Sequence, residues 1–366
     1  MIAVFAYAFP HRKSRDILVE LALAGKKKVC VIAAPMESLP NVDRTRYSVK
    51  SLRFAPPQDT AEVARSLGFD YVEMKHSDID AVSHHVAEKG LKLGIVAGAR
   101  ILKRPVIECF DEGIVNFHPG PIPETSGLDA FFYTVKKRVS AGVTTHLIDA
   151  RVDAGQQIYF DTVEIGPSDT AETVQENIYQ LQLIALRRFL SDRDGERLAH
   201  REVDWSGKNT PMTSDEKWQI LLDFPAWRSQ QVVLQAAKRL VFACEAGRLA
   251  EVSKYLDRFP QLLEHRTPEG WTPLIVAAFN QQKDIVAELL NRGADPNATG
   301  RNGTTVLMYA KSAILKGESE NLALLDLLIA KGADSSRRDK FGHAVLDYVK
   351  DSKVLTRYFT AKSGGA

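Results

Sequence analysis

Along the first half of the chain, short apolar runs alternate with segments whose apolar residues recur at helical spacing. Ile2 to Tyr7 reads as a strand, the polar FPHRKS at 9–14 as a loop, Arg15 to Leu23 as a helix and Val29 to Ala33 as a second strand. The order continues with a polar, proline-containing loop at 39–58, a helix over 60–67, a short strand at Tyr71 and Val72, a helix around 78–89 and the run LGIVAG at 93–98. Such alternation predicts an α/β fold with a mostly parallel sheet and helices on both faces. Ligands of these sheets sit beyond the carboxyl ends of the strands. The stretch GIVNFHPGPIPETSG, 113–127, places Asn116 and His118 at such an end, two residues apart and therefore on one face, before a run of Pro and Gly. A strand around His146, Leu147 and Ile148 follows, then the loop DARVDAG, a strand QIYF and a hydrophobic helix from Ala171 to Leu190.

The last third contains an internal repeat. Gly270-Trp271-Thr272-Pro273-Leu274, Ala277-Ala278 and VAELLNRGADPNA form the ankyrin pattern, and Gly303 opens a second copy 33 residues after Gly270. KGAD at 331–334 follows RGAD at 292–295 by 39 residues, and the six extra residues fit a looser turn around 313–319. A partial unit, FACEAGRLAEVSKYLD, precedes these copies, and FGHAVLDYV at 341–349 begins a truncated last one. The expected domains are 1–200, an α/β unit; 201–235, a tryptophan-containing extended connector, hairpin or dimer contact; and 236–366, an all-α ankyrin repeat array.

Composition narrows the class of protein. The 366 residues are 45% hydrophobic and 26% charged, with a net charge of +2, so no global basic surface points to nucleic acid or an anionic membrane. The apolar N-terminus is too short to span a membrane, and a cytoplasmic location is expected. Cys30, Cys109 and Cys244 are odd in number, far apart and in apolar surroundings, which suits small core residues, and no metal-binding spacing is visible.

Asn116 and His118 alone could be a core pair satisfied by backbone. Three pieces taken together resemble the formyltransferases that use N10-formyltetrahydrofolate, a family that includes the glycinamide ribonucleotide and methionyl-tRNA enzymes. Asn116-x-His118 precedes Pro119, Pro121, Pro123 and Gly127; His146-x6-Asp153-x-Gly155 follows; and AGARIL, 97–102, ends in Arg-Ile-Leu. The resemblance covers residues 1–200. It implies a Rossmann-like fold, direct formyl transfer without an acyl-enzyme, Asn116, His118 and Asp153 as catalytic residues, and a folate-binding loop of Ala97, Gly98, Ala99, Arg100, Ile101 and Leu102. The chemistry agrees: attack of an amine on a formyl group creates an oxyanion that Asn116 and His118 can stabilise, with Asp153 orienting His118 and relaying protons. His146 is expected to buttress the Asp153 loop.

The acceptor amine is narrowed by the same resemblance. The loop after the first strand lacks the glycines of a phosphate loop, but Arg12 and Lys13 there suit an anion. AYAFPHRKS, NFHPGPIPETSG and WSGKNTPMT at 205–213 look like the sugar N-formyltransferases, which act on nucleotide-linked deoxy sugars for surface polysaccharides such as O-antigen. Members with a C-terminal ankyrin array resemble enzymes of dTDP-3-amino-3,6-dideoxyglucose; a 4-amino sugar is the alternative, as is an ankyrin interaction protein on a non-catalytic scaffold. Phe131 and Tyr133 are candidates to pack on thymine or sugar, with core packing as their other reading. Trp271, Arg301, Tyr309 and Lys311 are candidates for a second nucleotide-sugar site in the ankyrin groove, and a homodimer is implied.

Overall fold

The architecture comes from a computed structural model that describes residues 1–36, 58–99, 101–195, 198–317 and 322–363. The expected loop at 39–58 therefore falls almost wholly outside the described residues, and Arg100 falls outside them too. The chain divides into two compact units, Met1–Gln231 and Val232–Ala366.

The first unit is built on one eight-stranded sheet of β1 (Ile2–Tyr7), β2 (Val29–Ala34), β3 (Asp70–Glu73), β4 (Leu93–Val96), β5 (Ile114–His118), β6 (Gly142–Leu147), β7 (Gln156–Thr162) and β8 (Arg201–Glu202). Its spatial order is β3-β2-β1-β4-β5-β6-β7-β8. The strands from β3 to β5 pair parallel, and those from β5 to β8 pair antiparallel. β1 and β2 are almost entirely buried, as expected of parallel strands covered on both faces. The helices of this unit are α1 (Arg12–Leu23), α2 (Thr60–Ser66), α3 (Ile79–Lys89), α4 (Arg104–Ile107), α5 (Ala130–Lys136), α6 (Ala171–Asp194) and the first part of α7 (Ser214–Glu245). The mostly parallel α/β expectation holds, with the antiparallel pairings confined to the strands from β5 onward.

Two elements differ from the sequence expectation. α1 starts at Arg12 rather than Arg15, because the His11 side chain accepts a hydrogen bond from the Ser14 amide and caps the helix. Arg12 and Lys13 thus belong to its first turn. The segment 201–235 is no extended connector: it adds β8 to the sheet and then forms α7, with Pro225 in its interior. Lys217, Ile220, Phe224, Trp227 and Gln231 are buried at spacings of three and four, which is a helical stripe. Burial of that stripe outweighs the amide lost at Pro225. Trp227 is fully buried and its indole N–H donates to the Val139 carbonyl at 3.0 Å, so it cannot serve as an intersubunit contact. Trp205 donates to the Val152 carbonyl, whereas Trp218 is exposed.

The second unit holds the rest of α7 and then α8 (Leu249–Arg258), α9 (Pro273–Phe279), α10 (Lys283–Asn291), α11 (Val306–Leu315), α12 (Ala323–Ala330) and α13 (Lys353–Ser363). Thr272 and Thr305, 33 residues apart, cap α9 and α11 by accepting from the amides of Ile275 and Met308. Leu274, Ile275, Leu289, Leu307, Leu325 and Phe359 share one core across the repeats. The longer spacing before KGAD begins as helix: α11 has 10 residues where α9 has 7, so Ala313 to Leu315 are helical rather than a turn. The last unit keeps its second helix, α13, and only its first is reduced, to a 3-10 turn at Val345–Tyr348.

Candidate active site

β5 ends in Asn116-Phe117-His118, with Phe117 buried on one face and its two neighbours on the other. Antiparallel pairing sets Asn116 opposite His146 of β6. After β6 the chain loops out and returns to β7, which brings Asp153 over both. This return requires a glycine: at Gly155, φ is +90°, and a Cβ there would lie 2.2 Å from the Leu147 carbonyl oxygen. Asp153 itself has a φ of +47°, a left-handed conformation that its Ser126-bound carbonyl helps hold.

The side chains converge closely. The Asn116 amide nitrogen is 3.3 Å from His146 Nε2 and 3.4 Å from Asp153 Oδ1. Asp153 Oδ2 accepts from the Gly127 amide at 2.7 Å and lies 3.3 Å from His118 Nδ1. His118 Nε2 faces the Thr125 carbonyl at 3.0 Å, and since a carbonyl only accepts, that nitrogen carries a proton. Burial would push the Asp153 carboxyl up, but the charge and hydrogen bond of His118 and the Gly127 amide overcome it and hold the group at about 2. His146 shows the opposite outcome: burial, aided by the charge on His118, lowers it to about 4. Its ring is neutral at neutral pH, donates from Nδ1 to the Ala154 carbonyl at 2.8 Å and offers Nε2 as an acceptor to Asn116.

Beside this cluster lies a cleft of about 370 Å³, of a size to hold a small organic molecule. Asn116, Asp153 and Gly127 line it, together with the apolar Val96, Ala99, Ile101, Leu102, Ile148 and Val152 and with Lys208, Asn209 and Pro211. Tyr7 donates to the Ala99 carbonyl at 3.2 Å and joins the lining. The apolar residues suit a flat heteroaromatic ring. Among the described residues, no group of three His, Cys, Asp or Glu is placed to hold a metal ion.

The structure brings Asn116, His118 and Asp153 together but sorts them differently from the sequence expectation. Asn116 and Asp153 face the cleft; His118 is buried behind Asp153 and is not among the lining residues. Of the expected folate loop, Ala99, Ile101 and Leu102 line the cleft, whereas Ala97 is fully buried, its carbonyl taken by the Ser14 hydroxyl. Gly98 is a packing glycine, since a Cβ would lie 2.8 Å from the Tyr7 ring and 2.9 Å from His11. Arg12 is spent in a bidentate pair with Glu176 and lies 3.9 Å over the Tyr179 ring, so its charge is already matched within the protein. Lys13 turns inward and donates to the Phe117 carbonyl at 3.2 Å. Phe131 and Tyr133 are core residues of α5: Phe131 packs on Phe224 and Trp227, and the Tyr133 hydroxyl donates to the Thr210 carbonyl. In the repeat unit, Trp271, Phe279 and Tyr309 form an aromatic cluster, Lys311 sits 5.0 Å over the Tyr348 ring, and Arg301 is exposed. The sequence reading assigned no role to Tyr7, Asp149, Arg151, Lys208 and Asn209; the stretch WSGKNTPMT was the signal for the last two.

Residues 22–190 match the family model for formyl transferase, and residues 240–347 match that for three copies of the ankyrin repeat. Over 84 residues the chain is 31% identical to phosphoribosylglycinamide formyltransferase of Bacillus subtilis (strain 168), covering 23% of this chain and 43% of that protein. The chain thus spans less than half the length of this curated relative. Similar solved structures include the phosphoribosylglycinamide formyltransferase of Anaplasma phagocytophilum, at 21% identity and a TM-score of 0.43, covering 58% of this chain and 97% of that one. Another is a sugar N-formyltransferase of Shewanella sp FDAARGOS_354, at 17% identity and a TM-score of 0.42, covering 61% and 87%. The formyl transferase match thus falls within the first compact unit and the ankyrin match within the second.

Proposed function

We propose that the protein transfers a formyl group from N10-formyltetrahydrofolate to the amino group of a nucleotide-linked amino-dideoxy sugar, with dTDP-3-amino-3,6-dideoxyglucose as the first candidate. The observation that carries the reading is the convergence of Asn116 and Asp153 on one cleft with apolar lining residues, with His118 behind them. Val96, Ala99, Ile101, Leu102, Ile148 and Val152 would hold the pterin, which brings a formyl carbon at the oxidation level of the product amide. Asn116 would donate to the oxygen that gains negative charge. Its two contacts are long, so turning one N–H toward a ligand costs little. Asp153, kept ionised by His118 and Gly127, would face the nitrogen that gains positive charge.

A sugar acceptor is favoured over glycinamide ribonucleotide by two features. The helix that follows β1, where a phosphate loop would deliver its amides, is capped by the protein's own His11, and no glycine lies between Tyr7 and Ser14. The stretch WSGKNTPMT, which carries the likeness to sugar enzymes, supplies Lys208, Asn209 and Pro211 to the cleft. In the same reading, the Trp271, Phe279 and Tyr309 cluster with Arg301 would take a second nucleotide sugar, and a homodimer would use the exposed Trp218 and Leu222 of α7.

Mass spectrometry of dTDP- and UDP-linked 3-amino and 4-amino sugars, incubated with the protein and N10-formyltetrahydrofolate, tests the main reading. A formyl increment on one sugar is expected, and Asn116→Ala should reduce its rate by about 10²–10³. An increment only on glycinamide ribonucleotide, or on no amine with the protein folded, would overturn it.

A further inference from the structure

Lys13 is a half-buried lysine that the chemistry above leaves unused. It sits in the first turn of α1, and its Nζ donates to the carbonyl of Phe117, the residue between Asn116 and His118. The Phe117 ring points the other way and packs on Phe189, so that carbonyl marks the centre of the strand end. On its own helix Arg12 is engaged by Glu176 of α6, and Asp16 by Arg15 and by Tyr179 of α6. From β5, β6 and the loop beyond, His118, His146 and Asp153 complete the charged surroundings, and Asp153 is the carboxylate that acts on Lys13.

We propose that Lys13 is a positioning residue of the formyl-transfer site, tying down the β5 end through the Phe117 carbonyl and adding a positive charge that offsets Asp153. The proposal rests on the function proposed above. With His146 neutral, the Lys13 ammonium offsets the Asp153 carboxylate behind the Asn116 amide, which favours an oxyanion there. Burial lowers the Lys13 ammonium to about 8 while Asp153 pulls it back up. Deprotonation keeps N–H groups for the Phe117 carbonyl but removes the charge, so pH separates the two contributions.

The test combines kinetics with a titration that needs no turnover. Lys13→Met is expected to lower kcat at pH 7 by about 10²-fold with KM for both substrates little changed. The ratio of wild-type to variant kcat should shrink as pH rises through about 8. In the wild type, the Lys13 Cε resonance, assigned by its absence in Lys13→Met, should titrate near 8 rather than at the ordinary lysine value of about 10.4. Unchanged kcat in folded Lys13→Met, or a titration below the assay pH that leaves the amine uncharged, would overturn the proposal. Absence of formyl transfer by the wild type would instead overturn the functional reading, and the titration would still decide the charge state of Lys13.

Discussion

His146 shows how one residue's environment sets a neighbour's orientation. Its neutral ring accepts from Asn116, which fixes the side-chain amide over Asp153. Its depressed value also predicts a stability signature. Between the ordinary histidine value of about 6.5 and the folded value of about 4, an unfolded chain binds a proton here and the folded one does not. Stability is therefore fully present above pH 6.5 and falls as pH drops toward 4, by about 1.4 kcal/mol per unit from this residue. Urea unfolding at several pH values should show a shallower fall for His146→Gln; an identical slope would assign the acid sensitivity elsewhere. Gly155 makes the second residue-scale case. A Cβ at 2.2 Å from the Leu147 carbonyl cannot be accommodated at a φ of +90°, so Gly155→Ala should cost on the order of 1–3 kcal/mol and displace Asp153. Equal melting and full turnover in that variant would contradict the loop geometry. Legibility at this scale followed spacing: Asn116 and His118 share a face because strands have period two, whereas the inward turn of Lys13 depends on a partner 104 residues away.

Among the elements, α7 carries the clearest prediction. Its buried stripe centres on Trp227, which is fully enclosed and hydrogen-bonded to Val139. Trp227→Ala should cost about 3–5 kcal/mol, since it removes the largest buried side chain of the unit and leaves a cavity. A melting temperature within a degree of the wild type would show that the segment is not part of this core. The helix escaped the sequence reading because Pro225 and the polar residues around it suppress local propensity, while Phe224 and Trp227 find Phe131 of α5 and the Val139 carbonyl only in the folded chain. The ankyrin helices, by contrast, were legible individually, because each repeat states its own cap, turn and apolar face within 33 residues.

The whole molecule consists of two compact units with separate cores, one on the sheet and one through the repeats. Thermal or denaturant unfolding is accordingly expected to show two transitions. Trp227→Ala should lower that of the first unit, and Leu289→Ala, in the repeat core, that of the second. One transition moved equally by both substitutions would overturn the division. What the sequence determined by itself was the order of strands and helices from β1 to β4, the repeat array and the Asn-x-His pair with its Asp-x-Gly loop, because these depend on short periods and on glycines with local geometric duties. Tertiary structure alone decided that Arg12 is spent on Glu176, that Lys13 donates to the Phe117 carbonyl, that Phe131 and Tyr133 are core, and that Lys208, Asn209 and Pro211 line the cleft. Each of those outcomes is a contact between residues far apart in the chain, whose burial and hydrogen bonding exist only once the sheet has brought them together.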